Sequence, residues 1–83
     1  GIKGIIPSSM KIYPNPTNDV LFVEGAIVGT ALRLVDVFGR VVSTINVKTD
    51  LEVLNLNALP SGIYVLSVAT NNEIISITRI VKE

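Results

Sequence analysis

Two apolar runs separated by a proline–glycine turn constrain this chain more than any other feature of its sequence. Residues 54–56 alternate between apolar and polar with a period of two, and residues 63–68 are apolar at most positions. A period of two is typical of a β-strand, and an apolar run at both parities predicts a strand covered on both faces. Between the runs, Leu59, Pro60 and Gly62 predict a turn whose leucine plugs one end of the core.

Turn-forming residues divide the rest of the chain into similar short runs. The predicted strands cover residues 10–13, 20–23, 30–35, 41–47, 51–56, 63–68 and 74–82. Asp36 and Gly39, three residues apart, favour a type I turn with a glycine bulge. About seven strands at spacings of roughly 8–12 residues, without helical periodicity, predict an all-β antiparallel sandwich.

Length and composition set the class of protein. Eighty-three residues, of which 48% are hydrophobic, make one small domain at residues 10–83. Residues 1–9 mix glycine, proline and serine with isoleucine and are expected to form a linker or a short edge strand. Seven basic and seven acidic residues cancel, which gives no electrostatic basis for binding nucleic acid or an anionic membrane. No apolar run approaches the ~20 residues of a membrane helix.

Candidate catalytic and metal-binding groups are few, and each has a simpler structural interpretation. The chain has no cysteine or histidine, which removes most nucleophile–base pairs and transition-metal sites. Asp50 and Glu52 are best explained as a solvent-facing pair on a strand. An oxygen-rich group at residues 15–19 offers calcium ligands, but the same residue types form turns. Tyr13 and Tyr64 make a poor sugar-stacking platform, and a half-buried hydroxyl bonded to a backbone partner is favoured. We therefore expect no enzyme activity, no metal and no cofactor.

Three motifs in a fixed order, followed by a basic and apolar ending, carry a family resemblance. They lie at residues 11–16 (KIYPNP), 35–42 (VDVFGRVV), 56–64 (LNALPSGIY) and 79–82 (RIVK). Together they closely resemble the type A C-terminal sorting domain of proteins exported by the bacterial type IX secretion system. The resemblance implies a small Ig-like β-sandwich.

The resemblance also implies a function. Such a domain is a non-catalytic secretion signal that targets the N-terminal cargo of the same chain to the outer-membrane translocon. Its implied partners are the translocon, shuttle proteins and a sortase-like C-terminal signal peptidase, and not nucleic acid or a small-molecule substrate. The implied location is the periplasm in transit, and then the cell surface or the medium.

The family motifs fall on particular positions of this sequence. The motif residues are Tyr13, Pro14, Asn15, Pro16, Asp36, Gly39, Arg40, Leu59, Pro60, Gly62 and Tyr64. The residues expected to be recognised by the translocon are Ile77, Arg79, Ile80, Val81 and Lys82. Arg79 stands where the family usually has lysine, which keeps the charge and changes the donor geometry. We expect an open edge near residues 74–82 to pair with a receptor strand.

Two other functions fit the same sequence. The first is an Ig-like carbohydrate- or protein-binding module appended to a secreted enzyme, which predicts an exposed aromatic strip. The second is a structural spacer between domains, whose removal would leave secretion unchanged.

Overall fold

The computed structural model describes residues 10–71 and 73–83, which form a β-sandwich. Its strands are β1 (Lys11–Tyr13), β2 (Val20–Glu24), β3 (Ala31–Val35), β4 (Val41–Asn46), β5 (Leu51–Asn55), β6 (Gly62–Thr70) and β7 (Glu73–Lys82). Within these described ranges there is no helix, and hence none long and apolar enough to cross a membrane. The predicted strands are confirmed to within a few residues at their ends, whereas the segment 1–9 lies outside the described residues.

The strands are divided between two antiparallel sheets. The three-stranded sheet has the order β1-β2-β5, and the four-stranded sheet has the order β4-β3-β6-β7. In an Ig-like sandwich, strands C, F and G lie side by side in one sheet and an additional strand can join beside C. The neighbours β3, β6 and β7, with β4 beside β3, follow that order. The predicted all-β antiparallel sandwich is therefore confirmed.

Alternate residues of the strands fill the space between the two sheets. The buried apolar side chains are Leu21, Val23, Ala26, Leu32, Leu34, Val47, Leu54, Leu56, Tyr64, Leu66, Val68 and Ile80. Fully burying a leucine stabilises a fold by about 1.5–3 kcal/mol. Leu59 is half-buried and packs against this cluster, as the turn sequence predicts.

The prediction that both faces of β6 are covered is wrong. Tyr64, Leu66 and Val68 are buried, but Ile63 on the opposite face is 43% exposed and Val65 is only half-buried. The reason is architectural, because a sandwich of two layers covers each sheet on one face only. The apolar side chains at the outward positions of β6 therefore form part of the outer face of the four-stranded sheet.

The face assignment of the acidic pair beside β5 is also wrong for one member. Glu52 pairs with the buried residue Val23 and is half-buried, whereas Leu51 is 46% exposed. Burial of Leu54 fixes the parity of the strand, and this parity turns Leu51 outward and Glu52 toward the end of the core. Asp50 remains exposed, as predicted.

Candidate functional site

In the tight turn between β3 and β4, the carboxylate of Asp36 accepts hydrogen bonds from nearby backbone amides. One carboxylate oxygen accepts hydrogen bonds from the backbone N–H groups of Phe38 at 2.9 Å and of Arg40 at 3.0 Å. The other oxygen accepts a hydrogen bond from the side-chain Nε–H of Arg40 at 2.8 Å. The Gly39 N–H donates to the Asp36 carbonyl at 3.0 Å, and Gly39 has a φ of +84°. The predicted type I turn with a glycine bulge is thus confirmed.

These contacts set the electrostatics of the turn. Partial burial acts to raise the pKa of Asp36, but the hydrogen bonds from Arg40 and Phe38 and the charge of Arg40 outweigh it and lower the pKa. The Arg40 guanidinium also lies 5.5 Å from the ring centroid of Phe38, a cation–π distance. The carboxylate therefore stabilises its own turn and is not free to act as a base.

A second motif forms the corner that leads from β5 into β6. The Leu59 N–H donates to the Leu56 carbonyl at 2.9 Å, and the Tyr64 hydroxyl donates to the Pro60 carbonyl. Ig-like sandwiches have such a tyrosine corner at the corresponding position, where the hydroxyl bonds back to the backbone a few residues upstream. Gly62 has a φ of +153°, which favours glycine. The expected backbone partner of a tyrosine hydroxyl is confirmed for Tyr64.

The two turns meet at one end of the sandwich and enclose a shallow groove of about 200 Å³. Its walls are mainly apolar and come from Val37, Phe38 and Val42 on one side and from Leu59 and Ile63 on the other. Phe38 is 80% exposed at its rim. The fold therefore brings two sequence motifs together that lie about 20 residues apart in the chain.

The first motif forms a clasp across the edge of β7. We call residues 14–17 the N-terminal clasp. The Asn15 side chain donates from Nδ2 to the Arg79 carbonyl at 2.8 Å and accepts the Val81 N–H at 3.0 Å on Oδ1. The Asn15 side-chain amide thus bonds to the edge of β7 through one donor and one acceptor, as a peptide group of an adjacent strand would. The peptide bonds preceding Pro14 and Pro16 are both cis.

Main-chain bonds from Thr17 complete the clasp. Its N–H donates to the Val81 carbonyl at 2.8 Å, and its carbonyl accepts the Glu83 N–H at 2.8 Å, which makes a parallel bridge opposite Lys82. Thr17 is buried, and its hydroxyl donates to the Val20 carbonyl. Residues 11–17 thus join both sheets, since β1 pairs with β2 and the clasp pairs with β7.

The clasp and the core limit which of the predicted recognition residues are accessible. Ile77 is 65% exposed and Arg79 is also exposed, whereas Ile80 is fully buried. Val81 and Lys82 are half-buried beside the clasp. The edge of β7 predicted to be open is therefore covered over its last residues, and the part that none of the other described residues covers ends near Arg79.

Tyr13 has a different environment from Tyr64. Its hydroxyl donates to the Glu24 carboxylate at 2.9 Å, so the expected backbone partner is wrong for this tyrosine. This bond, together with partial burial and the carboxylate charge, raises the pKa of Tyr13. Its ring lies 5.5 Å from that of Phe22, on the outer face of the three-stranded sheet. Two tilted rings are less than the aromatic strip that a sugar-binding module needs.

The remaining polar candidates take part in turns. The side-chain oxygen of Asn15 and the hydroxyl of Thr17 are occupied by the bonds described above, and the Asp19 carbonyl accepts the Leu56 N–H at 2.7 Å. Glu52 accepts the N–H groups of Lys48 and Thr49, which lowers its pKa. Within the described ranges, no three acidic side chains are grouped in a way that could hold a metal ion.

The outer face of the four-stranded sheet is a surface that the sequence analysis missed. Arg33 lies on this face opposite Ser67, which in turn lies opposite Ile77. The signal was present in the sequence, because residues 63–68 are apolar at both parities while a two-layer fold covers only one of them.

The geometry defines a class of protein, which is a small Ig-like β-sandwich. Its signature residues stabilise turns and bond residues 14–17 to the edge of β7. A family model described as a secretion system C-terminal sorting domain matches residues 11–83. The chain belongs to this family, the C-terminal sorting domains of type IX secretion. Membership implies interaction with the type IX machinery and export through the outer membrane to the cell surface or extracellular space. No curated protein matches the chain.

Proposed function

We propose that residues 10–83 are a non-catalytic address that directs an attached cargo protein to the outer-membrane type IX translocon. The family match over residues 11–83 is the observation that carries this proposal. Two further interactions are proposed from the same resemblance: recognition by shuttle proteins, and removal by a sortase-like peptidase once the cargo has crossed the membrane. The cargo would then be attached to the cell surface or released.

The chemistry of the motifs supports a role without catalysis. Asp36 is bonded to its own turn, Asn15 to the edge of β7, and the Tyr64 hydroxyl to the Pro60 carbonyl. A catalytic acid or base needs a reacting partner within hydrogen-bond reach and an accessible lone pair or proton. These side chains instead stabilise the corners of a sandwich.

The part of the β7 edge that no other described residue covers supports recognition by addition of a strand. The outward Arg79 carbonyl and Val81 N–H bond to Asn15, and backbone direction alternates along a strand, so the N–H and carbonyl of Ile77 also point to this edge. Unpaired edge groups of this kind can bond to an added strand. We therefore centre the proposed contact on Ile77 and Arg79, and assign Ile80 to the core.

Export of a reporter tests the function. Cells with a working type IX system should release or display a reporter that carries residues 1–83 at its C-terminus, and should retain the reporter without them. Cells that lack the translocon should retain both. Equal export of the two reporters would favour the spacer function and refute the proposal.

A proline substitution tests the edge. Ile77→Pro removes the outward N–H and leaves the bonds of Thr78 to β6 intact, and edge strands accept proline at such positions. Ile77→Val keeps both the N–H and a β-branched aliphatic side chain and is the matched control. We expect Ile77→Pro to retain the reporter in the periplasm and Ile77→Val to export it. Export of a folded Ile77→Pro variant would exclude strand addition at this residue.

A further inference from the structure

The outer face of the four-stranded sheet is apolar and carries positive charge. We define the outer sheet face by the outward strand residues, which are Ala31, Arg33, Val35, Val41, Thr44, Asn46, Ile63, Val65, Ser67, Ala69, Ile74, Ile77, Arg79 and Val81. The inward neighbours of these residues fill the core. Most of the outward positions are aliphatic, although no second layer formed by residues 10–71 and 73–83 covers them.

Exposed aliphatic side chains on this face lie on β4, β6 and β7. Val41 is 54% exposed, Ile63 43%, Ile74 59% and Ile77 65%, and the side chains of Val65 and Val81 beside Ile63 are half-buried. Isolated exposed aliphatic residues are ordinary on a protein surface, whereas a contiguous group marks an interaction site. The β6 sequence has the composition of a strand covered on both sides, and among the described residues only the inner side is covered by a second sheet.

The charge on the outer sheet face is unbalanced. Its strand residues include Arg33 and Arg79 and no acidic residue, although the whole chain has a net charge of zero. In the part of the chain that the structure describes, neither arginine forms an ion pair; the pair found there joins Arg40 to Asp36. On the outer face of the other sheet, by contrast, Lys11 lies opposite Glu24. The excess positive charge is thus specific to one face.

The excess positive charge of the outer sheet face indicates which kind of molecule binds there. A second copy bound through the same face in a two-fold dimer would place arginines near arginines, and this arrangement is unfavourable. An anionic membrane would gain only about 1 kcal/mol per basic residue near its surface. A protein surface with acidic side chains among apolar ones satisfies both the charge and the hydrophobicity, and charge complementarity also speeds association.

The size of the face suits a transient contact. Four strands at ~4.8 Å spacing and about five residues at ~3.3 Å rise cover on the order of 300 Å². Stable interfaces bury about 800 Å² on each partner, and smaller ones are typical of transient encounters.

We propose that the outer sheet face docks an acidic and apolar surface of a protein of the export machinery, with Arg33 and Arg79 as the charged contacts. This inference rests on the proposed function. It adds a flat docking surface to the strand edge discussed above. Arg33, on β3, is the residue that separates the two proposals, because it is two strands away from the β7 edge.

Charge reversal tests the docking surface. In the reporter fusion that carries residues 1–83, we expect Arg33→Glu alone to reduce export several-fold, and Arg33→Glu with Arg79→Glu to reduce it at least tenfold. Arg33→Lys with Arg79→Lys should retain most of the export. Lys11→Glu with Lys48→Glu makes the same change in net charge at exposed positions elsewhere and should be exported. Circular dichroism and thermal melts of the purified variants establish that each one is folded.

Photo-crosslinking identifies the occupant. A photoreactive amino acid at Ser67, in the middle of the face, should give a crosslink to a protein of the export machinery, and Arg33→Glu with Arg79→Glu should weaken it. The same probe at Val53, on the other sheet, is the control. Crosslinks to lipopolysaccharide or to a second copy, or no crosslink, would overturn the inference. So would normal export of the folded Arg33→Glu, Arg79→Glu variant while the fusion without the domain is retained, a result that leaves the proposed function standing.

Discussion

Removing the Asn15 side chain should loosen the C-terminal end of β7 and lower the stability of the whole domain. Asn15→Ala deletes the hydrogen bonds to the Arg79 carbonyl and from the Val81 N–H. A typical hydrogen bond contributes about 0.5–1.5 kcal/mol net, so two contribute about 1–3 kcal/mol. Asn15 is exposed, and water can replace part of what is lost. We therefore expect a decrease of about 1–2 kcal/mol in the free energy of unfolding.

A loss of this size is measurable in a domain of this length. One kcal/mol shifts Tm by about 4–8 °C for 60–100 residues, so a loss of about 1–2 kcal/mol means that Asn15→Ala should melt about 4–16 °C lower. Hydrogen exchange gives the local measurement, and the Val81 amide should lose protection while amides in the middle of β6 exchange only as fast as the lower global stability allows. Asn18→Ala changes an exposed asparagine in the next turn and should have little effect.

Asn15→Asp separates the two bonds. The carboxylate still accepts the Val81 N–H but cannot donate to the Arg79 carbonyl, and it places a negative charge against that oxygen. Its Tm should be no higher than that of Asn15→Ala at neutral pH. An unchanged Tm for Asn15→Ala together with unchanged protection of Val81 would refute the reasoning that this side chain secures the strand.

Three further predictions concern the two turns at the groove. Gly39→Ala forces a residue with a Cβ to a φ of +84° and should cost about 1–2 kcal/mol in chemical denaturation; an unchanged midpoint would contradict this. Tyr64→Phe leaves the Pro60 carbonyl without its hydroxyl partner and should cost about 1–3 kcal/mol, while Tyr13→Phe, which changes an exposed hydroxyl, serves as the control. The lowered pKa of Asp36 means that its contribution to stability is complete above its unfolded pKa, near 4, and is lost as the pH falls through the lower folded value. Urea midpoints measured from pH 7 down to pH 2 should therefore fall less steeply at the acid end for Asp36→Asn than for the wild type, and parallel curves would exclude Asp36.

The strands and turns were predictable because their determinants are local. The turn at residues 36–40 depends on five consecutive residues, and the side chain of Asp36, the first of them, accepts hydrogen bonds from the amides two and four positions later. The tyrosine corner likewise spans only residues 60–64. Strand positions followed from apolar periodicity, and the errors at their ends were small, since turn residues interrupt each run.

The faces of the strands and the clasp were harder to predict because they depend on distant parts of the chain. The prediction that Glu52 faces solvent together with Asp50 is wrong because the parity of β5 is fixed by Leu54 against the other sheet. Asn15 lies 66 residues from its partner Val81, and nothing in the local pattern of residues 14–17 indicates which strand edge they will meet. Periodicity describes alternation along one strand and not what covers each of its faces.

The motif side chains that stabilise turns and the β7 edge are different from those that form the proposed recognition surfaces, and this difference has a physical reason. Asn15, Asp36 and Tyr64 each bond to backbone groups that any sandwich with these corners must satisfy. Their chemistry is dictated by the fold, so they are recognisable in sequence whatever the cargo. A docking face needs only suitable charge and hydrophobicity, which many combinations of aliphatic and basic residues supply. The motif residues therefore stabilise the folded domain, and under our proposals a partner would bind at surface residues such as Arg33 and Ile77.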